Sequence, residues 1–87
     1  MKVGVRNSFV KDADKLPTLI RQQLAAIIEY LEITTSIREI PNCKKLKGHK
    51  AAYRIRLGQY RIGFYYEKGA VELVRILNRK DIYRYFP

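Results

Sequence analysis

The residues best spaced for chemistry lie in Tyr53-Arg54-Ile55-Arg56-Leu57-Gly58-Gln59-Tyr60-Arg61-Ile62-Gly63-Phe64. Apolar and polar residues alternate on both sides of Gly58-Gln59, a pattern that predicts a β-hairpin with a two-residue turn and glycine at its first central position. In that register Tyr53, Ile55, Leu57, Tyr60, Ile62 and Phe64 share one face, and Arg54, Arg56, Arg61 and Gly63 share the other. Arg56 then faces Arg61 across the strands. Like charges so placed cost up to about 1 kcal/mol, so the arrangement asks for a compensating anion, with Gly63 opposite Arg54 leaving floor space for one. Guanidinium groups bind phosphate oxygens bidentately and stabilise charge gathering on phosphorus, so a phosphodiester is the anion this set suits.

Other chemistries are thinly supplied. His49 is the one histidine and Cys43 the one cysteine, and no spaced Cys, His or carboxylate cluster resembles a metal site. No glycine-rich loop precedes a helix to cradle a nucleotide phosphate. His49, in a basic loop with no partner spaced to orient it, reads as a solvated histidine. RNA brings its own nucleophile, the 2′-hydroxyl, so a site of arginine, lysine and tyrosine needs neither a covalent residue nor a cofactor. Tyrosines supply flat surfaces for a splayed base, although Tyr53, Tyr60 and Tyr66 share the Ile62 face and read as core.

The charge distribution points the same way. The chain carries 18 Lys and Arg against 8 Asp and Glu; residues 1–43 hold 6 basic and 5 acidic groups, and residues 44–87 hold 12 and 3. Nearly all the excess therefore accompanies the hairpin, an electrostatic footprint of a nucleic-acid or acidic-protein partner. No apolar run approaches a membrane span of roughly 18 residues, and no leader pattern opens the chain, which reads as cytoplasmic without a membrane partner.

The elements that must position these residues fit one domain spanning 1–87. Val3 and Val5 alternate with Lys2, Gly4 and Arg6 as a short opening strand. Asn7 or Ser8 can cap a short helix running through Lys15, and Pro17 suits the first position of a second helix, whose stripe Ile20, Leu24, Ile27, Ile28 and Leu31 is core. Residues 33–43 lose periodicity and lead into the basic loop Lys44-Lys45-Leu46-Lys47-Gly48-His49-Lys50. After the hairpin, Glu67-Lys68-Gly69 marks a second turn and Ala70–Leu77 a strand. A three-residue turn would put Val74 and Ile76 on the core face and Arg75 beside Arg61; a two-residue turn would swap the faces. The tail Asn78–Pro87 is basic and aromatic, helical or extended. The order β-α-α-β-β-β plus tail predicts an α+β domain with two N-terminal helices on one face of a small, mainly antiparallel sheet, the arginine face being left for a ligand.

Four segments, Lys45-Leu46-Lys47-Gly48, Tyr53–Gly58, Tyr60-Arg61-Ile62 and Asn78-Arg79-Lys80-Asp81-Ile82-Tyr83-Arg84, together resemble the signature of the RelE/ParE toxin superfamily of toxin-antitoxin systems. That resemblance implies a RelE-like fold and a toxin neutralised by a cognate antitoxin. In the RelE branch it implies an endoribonuclease cleaving messenger RNA, commonly in the ribosomal A site, by metal-independent attack of the 2′-hydroxyl. Carried over by position, Arg56 and Arg61 are phosphate clamps and Arg79 is the transition-state stabiliser or proton donor to the 5′-oxygen. Tyr83 or Tyr85 is the base platform or proton carrier. Arg54, Lys45 and Lys47 bind substrate. Members can carry lysine where Arg54 and Arg56 stand and histidine where Asn78 stands; arginine does not lose its proton readily, so a tail tyrosine or an activated water inherits the proton transfer. The alternative is the ParE branch, which shares the fold and blocks DNA gyrase without cutting RNA.

Overall fold

The computed structural model describes residues 1–87. In chain order it contains β1 (Lys2–Val5), α1 (Asn7–Asp14), α2 (Thr18–Ile33), a single 3-10 turn (Ile37–Glu39), β2 (Cys43–Lys45), β3 (Ala52–Leu57), β4 (Tyr60–Glu67), β5 (Ala70–Asn78) and α3 (Ile82–Tyr85). The strands form one sheet in the order β1-β5-β4-β3-β2, antiparallel except where β1 runs parallel to β5. The α+β expectation of two N-terminal helices on a mainly antiparallel sheet describes the molecule. No helix is long and apolar enough to cross a membrane.

One strand carries no signal in the sequence: β2, which pairs antiparallel with β3 where the loss of periodicity predicts an irregular connection. At three residues it is too short to show a period. The short first helix also begins differently. Arg6 occupies the cap position, no side chain caps the helix, and the Ser8 hydroxyl donates instead to the Val74 carbonyl at 2.6 Å. Pro17 stands just before α2 rather than inside it.

The main core lies between the helices and the sheet. Phe9, Leu16, Leu24 and Leu31 from the helical layer meet Ile55, Ile62, Phe64, Val71, Leu73 and Ile76 from the strands, with Ile20, Ile27 and Ile28 completing the α2 stripe. Tyr53, Tyr60 and Tyr66 pack against this core, as their side of the hairpin demands. Tyr53 stacks on Phe64 with ring centroids 5.5 Å apart.

The turn into β5 has two residues, Lys68 and Gly69, both with positive φ, so Glu67 pairs with Ala70. Neither expected face assignment holds in full, because the register slips once: Phe64 pairs with Leu73 but Gly63 with Arg75. The extra residue, Val74, forms a β-bulge, and alternation restarts beyond it. Leu73 and Ile76 therefore both face the helices, while Val74 joins a second buried cluster with Ala52, Ile82 and Phe86 on the opposite face. Arg75 does not reach Arg61. Its guanidinium forms a two-pronged pair with Asp12 of α1, Nε to Oδ2 at 2.7 Å and Nη2 to Oδ1 at 3.1 Å.

Candidate RNA-binding site

The β3–β4 hairpin has the register that its sequence predicts. Arg56 pairs with Arg61, Arg54 with Gly63, and Gly58 opens the turn at φ +57°. A positive φ is needed there to turn the strands back with the sheet's twist, and glycine takes it without a Cβ clash. Three neighbouring segments complete the arginine face.

Asn42 is the first. It sits in the left-handed region at φ +60°, and its carbonyl accepts from Arg54 Nη1 at 3.1 Å and from the Arg56 backbone N–H at 3.0 Å. Its side-chain oxygen accepts from Arg56 Nη2 at 3.4 Å. Asn42 thus holds both arginines of β3. Sequence reasoning missed that role, although Pro41-Asn42 carried a turn signal.

The edge strand β2 is the second. Lys44 pairs with Arg54 and so belongs to the arginine side, whereas Lys45 pairs with Tyr53 and alternates toward the helical side. Lys44, Lys45, Leu46 and Lys47 line an open groove together with Arg54 and Tyr83. Lys44 thus joins Lys45, Lys47 and Arg54 among the cations of this groove. Cys43, between core and edge, packs against the helical layer beside Ile55. Burial pushes its thiol up to about 11, against an opposing pull from Arg54. At pH 8 iodoacetamide is expected to alkylate Cys43 roughly a hundredfold more slowly than an unhindered thiol, accelerating as pH approaches 11. Mass spectrometry of timed aliquots measures this, and a rate equal to that of free cysteine would show the thiol to be open.

The segment after β5 is the third. Asn78 accepts from the Lys80 N–H at 3.0 Å, a side-chain turn that bends the chain out of the strand. The Arg79 N–H donates to the Gln59 carbonyl at 2.8 Å, pinning this bend to the hairpin turn. Arg79 is thereby delivered to Arg61. The short α3 then sends its two tyrosines to different places. Tyr83, 57% exposed, reaches the groove beside Arg54, whereas Tyr85 lies over Arg75, ring centroid to guanidinium carbon 5.2 Å.

Electrostatics link the members. The Arg61 pKa is held below its ordinary value by partial desolvation first, then by the positive charge of Arg54; Tyr83 opposes the shift, and Arg56 and Arg79 add to it. Arg61 Nη1 donates to the Gly58 and Tyr60 carbonyls at 2.9 and 2.8 Å, which leaves Nε and Nη2 for a ligand. No carboxylate enters the cluster. The two ion pairs of the molecule, Arg6–Glu72 and Arg75–Asp12, both lie elsewhere. The structure therefore brings together Arg54, Arg56, Arg61, Arg79 and Tyr83, with Lys44, Lys45 and Lys47 along one side and Tyr85 apart. The expected floor space at Gly63 is filled: a Cβ there would meet the Phe86 ring within 2.5 Å.

No family model matches the chain. A curated relative, toxin RelE3 of Methanocaldococcus jannaschii, is 41% identical over 88 residues and covers 100% of both chains. A crystal structure of a RelB-RelE antitoxin-toxin complex from Methanococcus jannaschii superposes with a TM-score of 0.84 at 38% identity, over 97% of this chain and 99% of that one. The Escherichia coli RelBE toxin-antitoxin complex gives a TM-score of 0.66 at 26% identity, over 88% and 94%. Fold, length and sequence agree from end to end, and the chain belongs to the RelE family of toxins from toxin-antitoxin systems.

Proposed function

We propose that this toxin is a messenger-RNA endoribonuclease that works in the cytoplasm, with the ribosomal A site presenting its substrate. The observation that carries the reading is the convergence of Arg54, Arg56, Arg61, Arg79 and Tyr83 on one sheet face with no carboxylate to neutralise them. Four guanidinium groups held together without counterions favour a polyanion. The Tyr83 ring beside them favours one that carries bases.

The proposed reaction follows from those groups. Arg56 and Arg61 take the non-bridging oxygens of the scissile phosphate, and Arg54 with Lys44, Lys45 and Lys47 holds the flanking backbone. The RNA 2′-hydroxyl attacks the adjacent phosphorus; its proton is relayed by the Tyr83 hydroxyl or by a water held among the arginines, each taking up one proton as it passes its own on toward the departing 5′-oxygen, since guanidinium groups remain protonated. The bond to the 5′-oxygen breaks, and Arg79 stabilises the negative charge that develops on that oxygen until the relayed proton reaches it. A 2′,3′-cyclic phosphate and a 5′-hydroxyl result, with no metal required. Between transcripts, an acidic or amphipathic segment of a cognate antitoxin covers the same face. The RelE proteins solved with RelB support such a partner.

Expression of the chain alone in a bacterial host, followed by mapping of the 5′ ends of cellular messages, tests this reading. Growth arrest with new 5′-hydroxyl ends inside coding regions is the expected result. Normal growth would count against a toxin, and arrest with intact messages and inhibited gyrase supercoiling would assign the ParE-like alternative.

Salt dependence is a separate expectation. Each phosphate contact on single-stranded RNA contributes about 0.7 to the slope of log K against log salt. Replacing Lys44, Lys45, Lys47 and Lys50 by alanine should therefore lower the slope by about 2 to 3 in fluorescence-anisotropy titrations. An unchanged slope would make the lysines a solvated edge.

A further inference from the structure

Tyr83 stands beside the arginines because of what holds α3 in place. A four-residue helix has no stability of its own, and this one has no side-chain cap. Its anchors are Ile82 and Phe86, spaced so that both fall on one side, 0% and 1% exposed within the cluster that includes Ala52 and Val74. The Phe86 ring rests directly on Gly63. An added Cβ at that glycine would lie 2.5, 2.6 and 2.9 Å from three ring atoms, closer than side chains can approach. The Tyr65 ring flanks the same socket at a centroid distance of 5.2 Å. Between the two anchors, Tyr83 leaves toward the arginine groove and Tyr85 toward Arg75.

We propose that Gly63 and Phe86 are a matched pair of positioning residues: the bare backbone of Gly63 sets the depth at which Phe86 seats, and that depth sets where Tyr83 meets the RNA. Neither residue touches substrate. The hairpin thus contributes to the site twice, through its arginines and through the one position on their face that has no side chain. As a statement about catalysis this rests on the ribonuclease reading above; as a statement about the tail it does not.

A double-mutant cycle between Gly63 and Tyr83, which act together only through Phe86, tests it. Gly63→Ala should reduce kcat for RNA cleavage tenfold or more, and Tyr83→Ala should do the same. The double variant should be no worse than either single variant, because a displaced Tyr83 has nothing left to lose. Phe86→Leu, which adds no atom and shortens the plug, should impair the wild type. It should restore Gly63→Ala to within about threefold of the wild-type rate by making room for the methyl group. Hydrogen exchange at the Arg84 and Phe86 amides, which close α3 onto Asp81 and Ile82 at 3.0 and 2.8 Å, should quicken at least tenfold in Gly63→Ala while β3 and β4 stay protected. Full cleavage by Gly63→Ala, or additive losses in the cycle, would overturn the proposal. Should wild type cut no RNA, the ribonuclease reading falls, and exchange alone decides the seating: unchanged protection of α3 overturns it, faster exchange upholds it. If Gly63→Ala fails to fold, the same cycle run with Phe86→Leu and Tyr83→Ala decides.

Discussion

Arg61→Ala is expected to keep its melting point close to wild type while RNA cleavage falls by one to three orders of magnitude. The separation follows from where the guanidinium sits. In the free protein it lies opposite Arg56 and feels Arg54 and Arg79, and partial desolvation first, then these repulsions, hold its pKa down. Removing it relieves that repulsion. The same change deletes two hydrogen bonds to turn carbonyls, an offsetting loss of about 1 kcal/mol for a largely exposed pair. The transition state has no such balance, because a charge that meets developing negative charge on the phosphorane is lost outright. Thermal melting alongside cleavage of a short RNA reads both quantities. A melting point well below wild type with cleavage retained would make Arg61 a structural arginine and move the site elsewhere.

The largest stability effect is expected at Asp12. Its side chain is 7% exposed, pairs with Arg75 through both oxygens, and accepts a third hydrogen bond from the Ile76 N–H at 3.1 Å. These contacts tie α1 to β5 just past the bulge, where β1 has ended and β5 has no neighbouring strand on that side. Asp12→Ala leaves a buried N–H unpaired and strands a guanidinium that is 24% exposed. Because Arg75 can recover some water, the cost falls near the lower end of the range for a broken buried pair, about 3 kcal/mol. For a domain of this size that lowers the melting point by on the order of 15 °C. A control separates the lost pair from the stranded charge: with Arg75→Met added to Asp12→Ala, part of the loss should return, since no uncompensated cation remains. A single variant within about 3 °C of wild type would show that α1 is held by its apolar face alone.

The hairpin and its facing arginines were legible in the sequence because both depend on local geometry. A period of two and a two-residue turn leave one register, and a slip of one residue would have exposed Ile55, Ile62 and Phe64. The α2 stripe was legible for the same kind of reason, as was the family resemblance, which rests on four short motifs taken together. Strand β2 was not, since three residues of Cys-Lys-Lys at a sheet edge have no pattern to separate them from a basic loop. Nor was the bulge at Val74. Counting turn residues predicts uninterrupted alternation, whereas this strand must feed Leu73 and Ile76 to one layer and Val74 to the other.

The candidate site divides along the same line. Residue types and spacing alone were enough to put Arg54, Arg56 and Arg61 on one face and to concentrate positive charge in the second half of the chain. What the face is used for at Gly63, and which tail tyrosine joins it, only tertiary packing decided. A glycine in a strand reads as room; whether that room belongs to a ligand or to Phe86 depends on where a tail 23 residues further along comes to rest. Tyr83 and Tyr85 are equivalent by composition and nearly so by position. They part because α3 docks through Ile82 and Phe86, turning one ring toward Arg54 and the other onto Arg75. Local backbone rules determine which side chains share a face, but the contact between two distant faces is settled by how their shapes and charges fit.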